Sequence, residues 1–327
     1  MTTLARPHQA RGYAVTMQTL AGKRILITGA SSGIGCATAE RFAAHGCHLA
    51  LLARGEAGLE QVANRVRAAG GTAHVLPCDL ADRAATNAAV EQAVEALGGL
   101  DVLVSNAASM AFGRFWEVDA DAFDGTIDGT FKGAVNVTRA ALPHLASDGG
   151  GTIVATGSVM ARVPLPTFSS YAAAKHALRG FMGSLRIELR SAKVPVKVSM
   201  VHPGAVDTPL WDHLTSGVGR LPRRPPDRYR PEEVARAIVS VTASGKEEFS
   251  VGGEARAMEL LWATTRPVAD RVLALVGRFY NAGKRPSPVP GSTFVASGDG
   301  HCSGGGRWAR PSVWTRLRLR EPPRKPL

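Results

Sequence analysis

The chain has 327 residues, of which 45% are apolar, enough to bury a full core in one large domain or two small ones. No stretch approaches the roughly 18 unbroken apolar residues of a membrane-spanning helix, so integral membrane association is not expected. The formal charge of +12 lies mainly at the C-terminus, where residues 283–327 carry nine Lys or Arg against two acids, and the first 16 residues add Arg6 and Arg11. The small excess left in the middle argues against a nucleic-acid groove.

In chain order, residues 1–17 lack the apolar block of a signal peptide and read as a flexible leader ahead of Met17. Strand-like apolar runs follow at 24–28, 48–54, 72–77, 102–105, 151–156, 196–202 and 249–251. Helical patterns separate them at 34–45, 56–69, 84–97 and 171–190. This alternation predicts an α/β fold: a doubly wound parallel sheet of about seven strands, Rossmann-type, with helices on both faces, filling residues 18–254. Residues 209–230 mix apolar side chains with five arginines and several prolines, without period, and read as a lid loop. Residues 255–282 form a helical C-terminal extension broken near Pro267, suited to core packing, a subunit contact or peripheral membrane attachment. The remainder, 283–327, is rich in Gly, Pro, Ser and Arg and is expected to be disordered. Cys36, Cys47, Cys78 and Cys302 show no CxxC spacing and are expected to be free, in a reducing compartment such as the cytoplasm, with no metal.

The first strand runs into Thr28-Gly29-Ala30-Ser31-Ser32-Gly33-Ile34-Gly35 and then a helix. Glycines allow a tight turn and a close backbone approach, while a helix N-terminus offers unpaired N–H groups and a positive dipole end to a pyrophosphate. Tyr171 and Lys175 are four apart in an alanine-rich helical segment and share a face. An ammonium would favour the phenolate of a nearby tyrosine, which otherwise titrates near 10.

TGASSGIG resembles the TGxxxGxG signature of the short-chain dehydrogenase/reductase family, and the resemblance extends over about residues 20–254. It implies hydride transfer between a nicotinamide dinucleotide and a carbonyl or alcohol of a small molecule. By the same resemblance, Gly29, Ser31, Ser32, Gly33, Ile34 and Gly35 would hold the cofactor. At the end of the second strand Arg54 stands where an acid would bind a free ribose hydroxyl. It is either a 2′-phosphate partner, favouring NADP(H) over NAD, or an ordinary solvated arginine. Asp79 and Leu80 resemble the segment contacting the adenine, and Asn106, Ala107 and Ala108 the NNAG segment, with Ala108 in place of its Gly. Ser158 would orient the substrate, Tyr171 act as general acid/base, and Lys175 bind the nicotinamide ribose and lower the tyrosine pKa. Pro203, Gly204, Val206 and Thr208 would face the nicotinamide. Thr130 occupies the place of a relay Asn and is expected to support that relay, directly or through a water.

Phe168 and Trp211 follow strand ends and are expected to contact an apolar substrate. The Thr variant and the helical extension resemble a bacterial-type, NADP-dependent subgroup, and the family commonly forms homo-dimers or homo-tetramers. A cofactor-binding regulatory or scaffold protein with little turnover is the alternative on the same fold.

Overall fold

The structure, a computed structural model, describes residues 20–147, 149–287, 291–296, 300–305 and 309–319. The leader expected at 1–17 lies outside the described residues. Among the described residues nine strands follow in chain order: β1 (Arg24–Thr28), β2 (His48–Ala53), β3 (Thr72–Pro77), β4 (Val102–Ser105), β5 (Ala111–Phe112), β6 (Thr152–Thr156), β7 (Lys197–Pro203), β8 (Thr215–Ser216) and β9 (Glu248–Val251). Seven of them make one parallel sheet in the order β3-β2-β1-β4-β6-β7-β9, and β5 pairs with β8 in a small separate ladder. The expected doubly wound plan is therefore what the chain adopts. Strand order reverses between β1 and β4, which opens a crevice at their C-terminal ends.

Alternating side chains explain why both faces are covered. Ile25 and Ile27 of β1 face a core shared with Phe42 of α1 (Gly33–Ala43), Val62 of α2 (Glu56–Ala68) and Ile238 of α8 (Pro231–Ser244). Leu26, one residue out of phase, joins the opposite core with Val90 of α3 (Arg83–Leu97), Val137 of α5 (Gly133–Ala146) and Leu178 of α6 (Ser169–Ser191). Between α4 (Ala120–Ile127) and α5 the chain makes a π-helical turn at Asp128–Lys132.

Above the C-terminal edge of the sheet lies a third apolar cluster. It joins Phe112, Phe168, Trp211 of the short α7 (Leu210–His213), and Leu273 and Tyr280 of α10 (Arg266–Asn281), which follows α9 (Gly253–Thr264). The helical extension thus packs as a roof over the crevice. Among the described residues no helix is long and apolar enough to cross a membrane.

The tail departs from expectation. Its described parts lie against the body, with Gly291 and Ser292 buried and a helix α11 (Val313–Leu319) whose Arg316 pairs with the buried Glu233 at 2.9 Å. Cys36 and Cys302 form a disulfide, contrary to the free state expected for all four cysteines; Cys47 and Cys78 are free and buried. The pairing removes the premise on which a reducing compartment was inferred. The physical reason for both departures is the same: backbone hydrogen bonds, ion pairs and a crosslink hold this segment, so it needs little apolar burial of its own.

Candidate active site

The crevice contains a cavity of about 970 Å³ that runs from the glycine turn to the roof. At one end, Gly29 has φ +64°, and a Cβ on Gly35 would stand 2.1 Å from the Gly29 carbonyl oxygen. Only glycine allows these two backbone segments to meet. Ser32 precedes α1 without capping it through its side chain, and the first helical amide, that of Gly33, donates to the His301 carbonyl at 3.0 Å, so an anionic ligand at this helix N-terminus would replace that contact. Gly29, Ser31, Ser32, Gly33 and Ile34 line the cavity, while Gly35 lies behind the turn. These residues fit the phosphates of a dinucleotide.

The turn is held from below by β1 and β4. Thr28 Oγ1 accepts from the backbone N–H of Asn106 at 2.9 Å and of Ala107 at 3.1 Å, and Asn106 Nδ2 donates to the Thr28 carbonyl at 3.2 Å. Asp79, Leu80, Ala107 and Ala108 line the same wall. Leu80 is fixed by Asn136, which donates to its carbonyl at 2.9 Å from the buried face of α5. Sequence reasoning missed Asn136 and Thr28. A polar residue on the apolar face of α5 was the available signal for the first.

At the catalytic end, β6 and α6 bring Ser158, Tyr171 and Lys175 together on the cavity wall. Ser158 lies beside the Tyr171 phenol, whose pKa its hydroxyl pulls down, and accepts the N–H of Met160 at 3.1 Å. Lys175 donates to the Thr156 carbonyl at 2.7 Å, and its ammonium nitrogen lies 5.5 Å from the centre of the Tyr171 ring. Burial raises the Tyr171 phenol well above its ordinary range, against the pull of Ser158, and lowers Lys175 to about 7. The protein alone therefore holds both groups toward neutrality, so the lowered tyrosine pKa anticipated from sequence is not a property of the protein by itself.

Thr130 stands apart from this set. Its buried hydroxyl donates to the Ser109 carbonyl at 2.9 Å and accepts the Ser109 N–H at 3.0 Å. Its proton is committed to that peptide, and its contacts support a structural clamp on the chain after β4 in place of the expected relay.

Pro203, Gly204, Val206 and Thr208 lie along the cavity floor after β7, and Trp211 donates its indole N–H to the Val206 carbonyl at 2.8 Å. Trp211 and Tyr280 stack 6.0 Å apart on the cavity wall. Phe168 corrects an expectation: it is fully buried behind that wall, 5.3 Å from both Phe112 and Tyr280, and supports the pocket without lining it. Tyr280, unmarked in the sequence, takes the place expected of Phe168.

Behind Ser158, the His202 ring lies 3.3 Å from the Ser158 carbonyl, and burial drives its pKa down to about 4. Close by, Arg162 binds Glu248 of β9 and, at 2.7 Å, Glu259 of α9, so the turn carrying Ser158 is tied to the roof.

The sequence profile described as short chain dehydrogenase matches residues 23–218. The chain belongs to the short-chain dehydrogenase family. An uncharacterised oxidoreductase of Bacillus subtilis is 33% identical over 80% of this chain and 74% of its own length. A short-chain dehydrogenase/reductase from Burkholderia phymatum in complex with NAD superposes with a TM-score of 0.68 at 25% identity, over 76% of this chain and 95% of the other. An alcohol dehydrogenase from the archaeon Thermococcus sibiricus, complexed with 5-hydroxy-NADP, gives 0.62 at 28% identity, over 70% and 95%. Membership places this short-chain dehydrogenase among nicotinamide-dependent oxidoreductases, and its relatives include structures with either form of the dinucleotide.

Proposed function

We propose that the protein is an NADP(H)-dependent dehydrogenase/reductase of small apolar carbonyl or alcohol compounds, with Tyr171 as general acid/base. The observation that carries this reading is the convergence of Ser158, Tyr171 and Lys175 at the apolar end of the cavity. When bound, the dinucleotide supplies or accepts the hydride. Ser158 and Tyr171 hold the substrate oxygen between two hydroxyls. In reduction the Tyr171 phenol donates its proton to that oxygen, and in oxidation it takes the proton back. The neutral phenol favoured by burial is the form that donates a proton in reduction.

Lys175, anchored on Thr156 beside the tyrosine ring, is suited to bind the nicotinamide ribose, and a bound dinucleotide would favour its charged form next to Tyr171. Arg54 is suited to a 2′-phosphate at the other end of the cleft, which favours NADP(H) over NAD. Apolar groups of Leu165, Leu210, Trp211, Val276 and Phe279 line the roofed end and suit an apolar substrate. The test is NADPH and NADH consumption against aldehydes, ketones, sterols and acyl compounds, with Tyr171→Phe as control. Turnover by the wild type and its loss by about 10²-fold or more in the variant, with dinucleotide binding kept, is expected. Tight binding with no turnover across the panel would favour the scaffold alternative.

A further inference from the structure

The C-terminal tail meets the dinucleotide cleft at the groups a cofactor would use. The Gly33 amide, at the first position of α1, donates to the His301 carbonyl at 3.0 Å, and Gly300 donates back to the Ser31 carbonyl at 3.0 Å. Arg54 is half-buried, and its guanidinium donates to the carbonyls of Ser292, of Val295 at 2.9 Å and of Thr293 at 3.4 Å. Farther along, Gly304 donates to the Asp207 carbonyl at 3.1 Å, beside the cavity-lining Thr208. The tail thus engages the phosphate-binding turn and the arginine suited to the 2′-phosphate at once. The crosslink fastens it there, because Cys36 sits in the first turns of α1 and Cys302 follows His301 directly.

We propose that Cys36 and Cys302 form a thiol–disulfide exchange site for a dithiol reductant, whose oxidised form latches the tail over the dinucleotide cleft and whose reduced form frees it. The inference rests on the dinucleotide reading of the cleft given above. Accessibility sets the order of events. Cys36 is buried, whereas Cys302 is part-exposed, so a reductant thiolate attacks the Cys302 sulfur. The Cys36–Cys302 bond breaks and Cys36 leaves as a thiolate, facing the Arg65 guanidinium at 2.9 Å and the positive end of α1. The second thiol of the reductant then attacks the mixed disulfide and releases the Cys302 thiolate. Two electrons pass from the dithiol, which ends as its own disulfide, and its two protons end on Cys36 and Cys302.

While latched, the tail competes with the dinucleotide as an intramolecular ligand; once reduced, its hold depends on the remaining hydrogen bonds alone. Linkage makes the effect reciprocal, so bound dinucleotide should oppose reoxidation.

The experiment titrates NADPH into the full-length chain, oxidised or reduced with dithiothreitol, and into Cys302→Ser under both conditions, following nicotinamide fluorescence. Alkylation and mass spectrometry count free cysteines in parallel. The oxidised wild type should bind at least about 10-fold more weakly than the reduced form. Cys302→Ser should match the reduced wild type with or without dithiothreitol. Equal affinity of the oxidised and reduced wild type, a dithiothreitol response retained in Cys302→Ser, or four alkylatable cysteines in the oxidised chain would each overturn the latch and leave the enzyme reading standing. Failure of every form to bind NADPH or NADH would overturn the dinucleotide reading and the latch with it.

Discussion

At the scale of single residues, the site is governed by what burial does to charge. Lys175 is enclosed, and its pKa falls to about 7 from an ordinary 10.5. Below pH 7 both folded and unfolded chains carry the proton, and the folded state bears the whole cost of a buried ammonium. Between 7 and 10.5 the unfolded chain binds more protons than the folded one, so stability rises with pH through that window. Lys175→Met should therefore melt higher relative to wild type at pH 6 than at pH 9, and a pH-independent difference in Tm would contradict the shift. Arg54 gives a second expectation. A charge-assisted contact to a phosphate contributes about 1.5–3 kcal/mol, so Arg54→Ala should raise the KM for NADPH relative to that for NADH by roughly 10- to 100-fold. The ratio is the right measure, because freeing the tail from Arg54 would alter both constants together. An unchanged ratio would return Arg54 to an ordinary strand-end arginine.

At the scale of elements, each functional side chain is placed by a strand end or a helix face, and the π-helical turn sets the Thr130 hydroxyl against Ser109. Thr130→Val leaves both polar groups of a buried peptide, Ser109, without that hydroxyl. The expected loss is about 1–3 kcal/mol in denaturant unfolding, with the pH profile of turnover unchanged. A shifted profile would restore the relay role. Strands β1 and β4 occupy the residues their apolar runs predicted, because central strands of a parallel sheet buried on both faces leave their signature in continuous Ile, Leu and Val. The glycine turn and the Tyr171/Lys175 pair were legible for a similar reason, each being fixed by spacing within one element. Phe168 was not, since spacing says which strand end a residue follows and not which way its ring points. The hold of the tail on α1 was also hidden: Cys36 and Cys302 are 266 positions apart, and no spacing rule joins them.

At the scale of the whole molecule, the substrate end of the cavity is closed by segments far apart in the chain, the strip before α6, the lid around α7 and the roof helix α10. Their contact is aromatic: Tyr280 stacks on Trp211 with planes 7° apart and meets the edge of Phe168 at 5.3 Å. Tyr280 is mostly enclosed, and burial pushes its phenol up to about 12, so it serves near neutrality as an uncharged wall. Removing the ring should enlarge the apolar end without touching Ser158, Tyr171 or Lys175. Since filling an apolar pocket by one methylene changes specificity by roughly 10- to 200-fold, Tyr280→Ala should raise kcat/KM for bulky ketones relative to short-chain ones by at least about 10-fold. Loss of ring packing should lower stability by about 3–5 kcal/mol, so Tyr280→Leu, which keeps an apolar side chain, serves as the folded companion. The two readouts separate the possible roles of the roof. A fall in stability with no change in the bulky-to-short ratio in either variant would mean that α10 packs the fold but does not border the substrate.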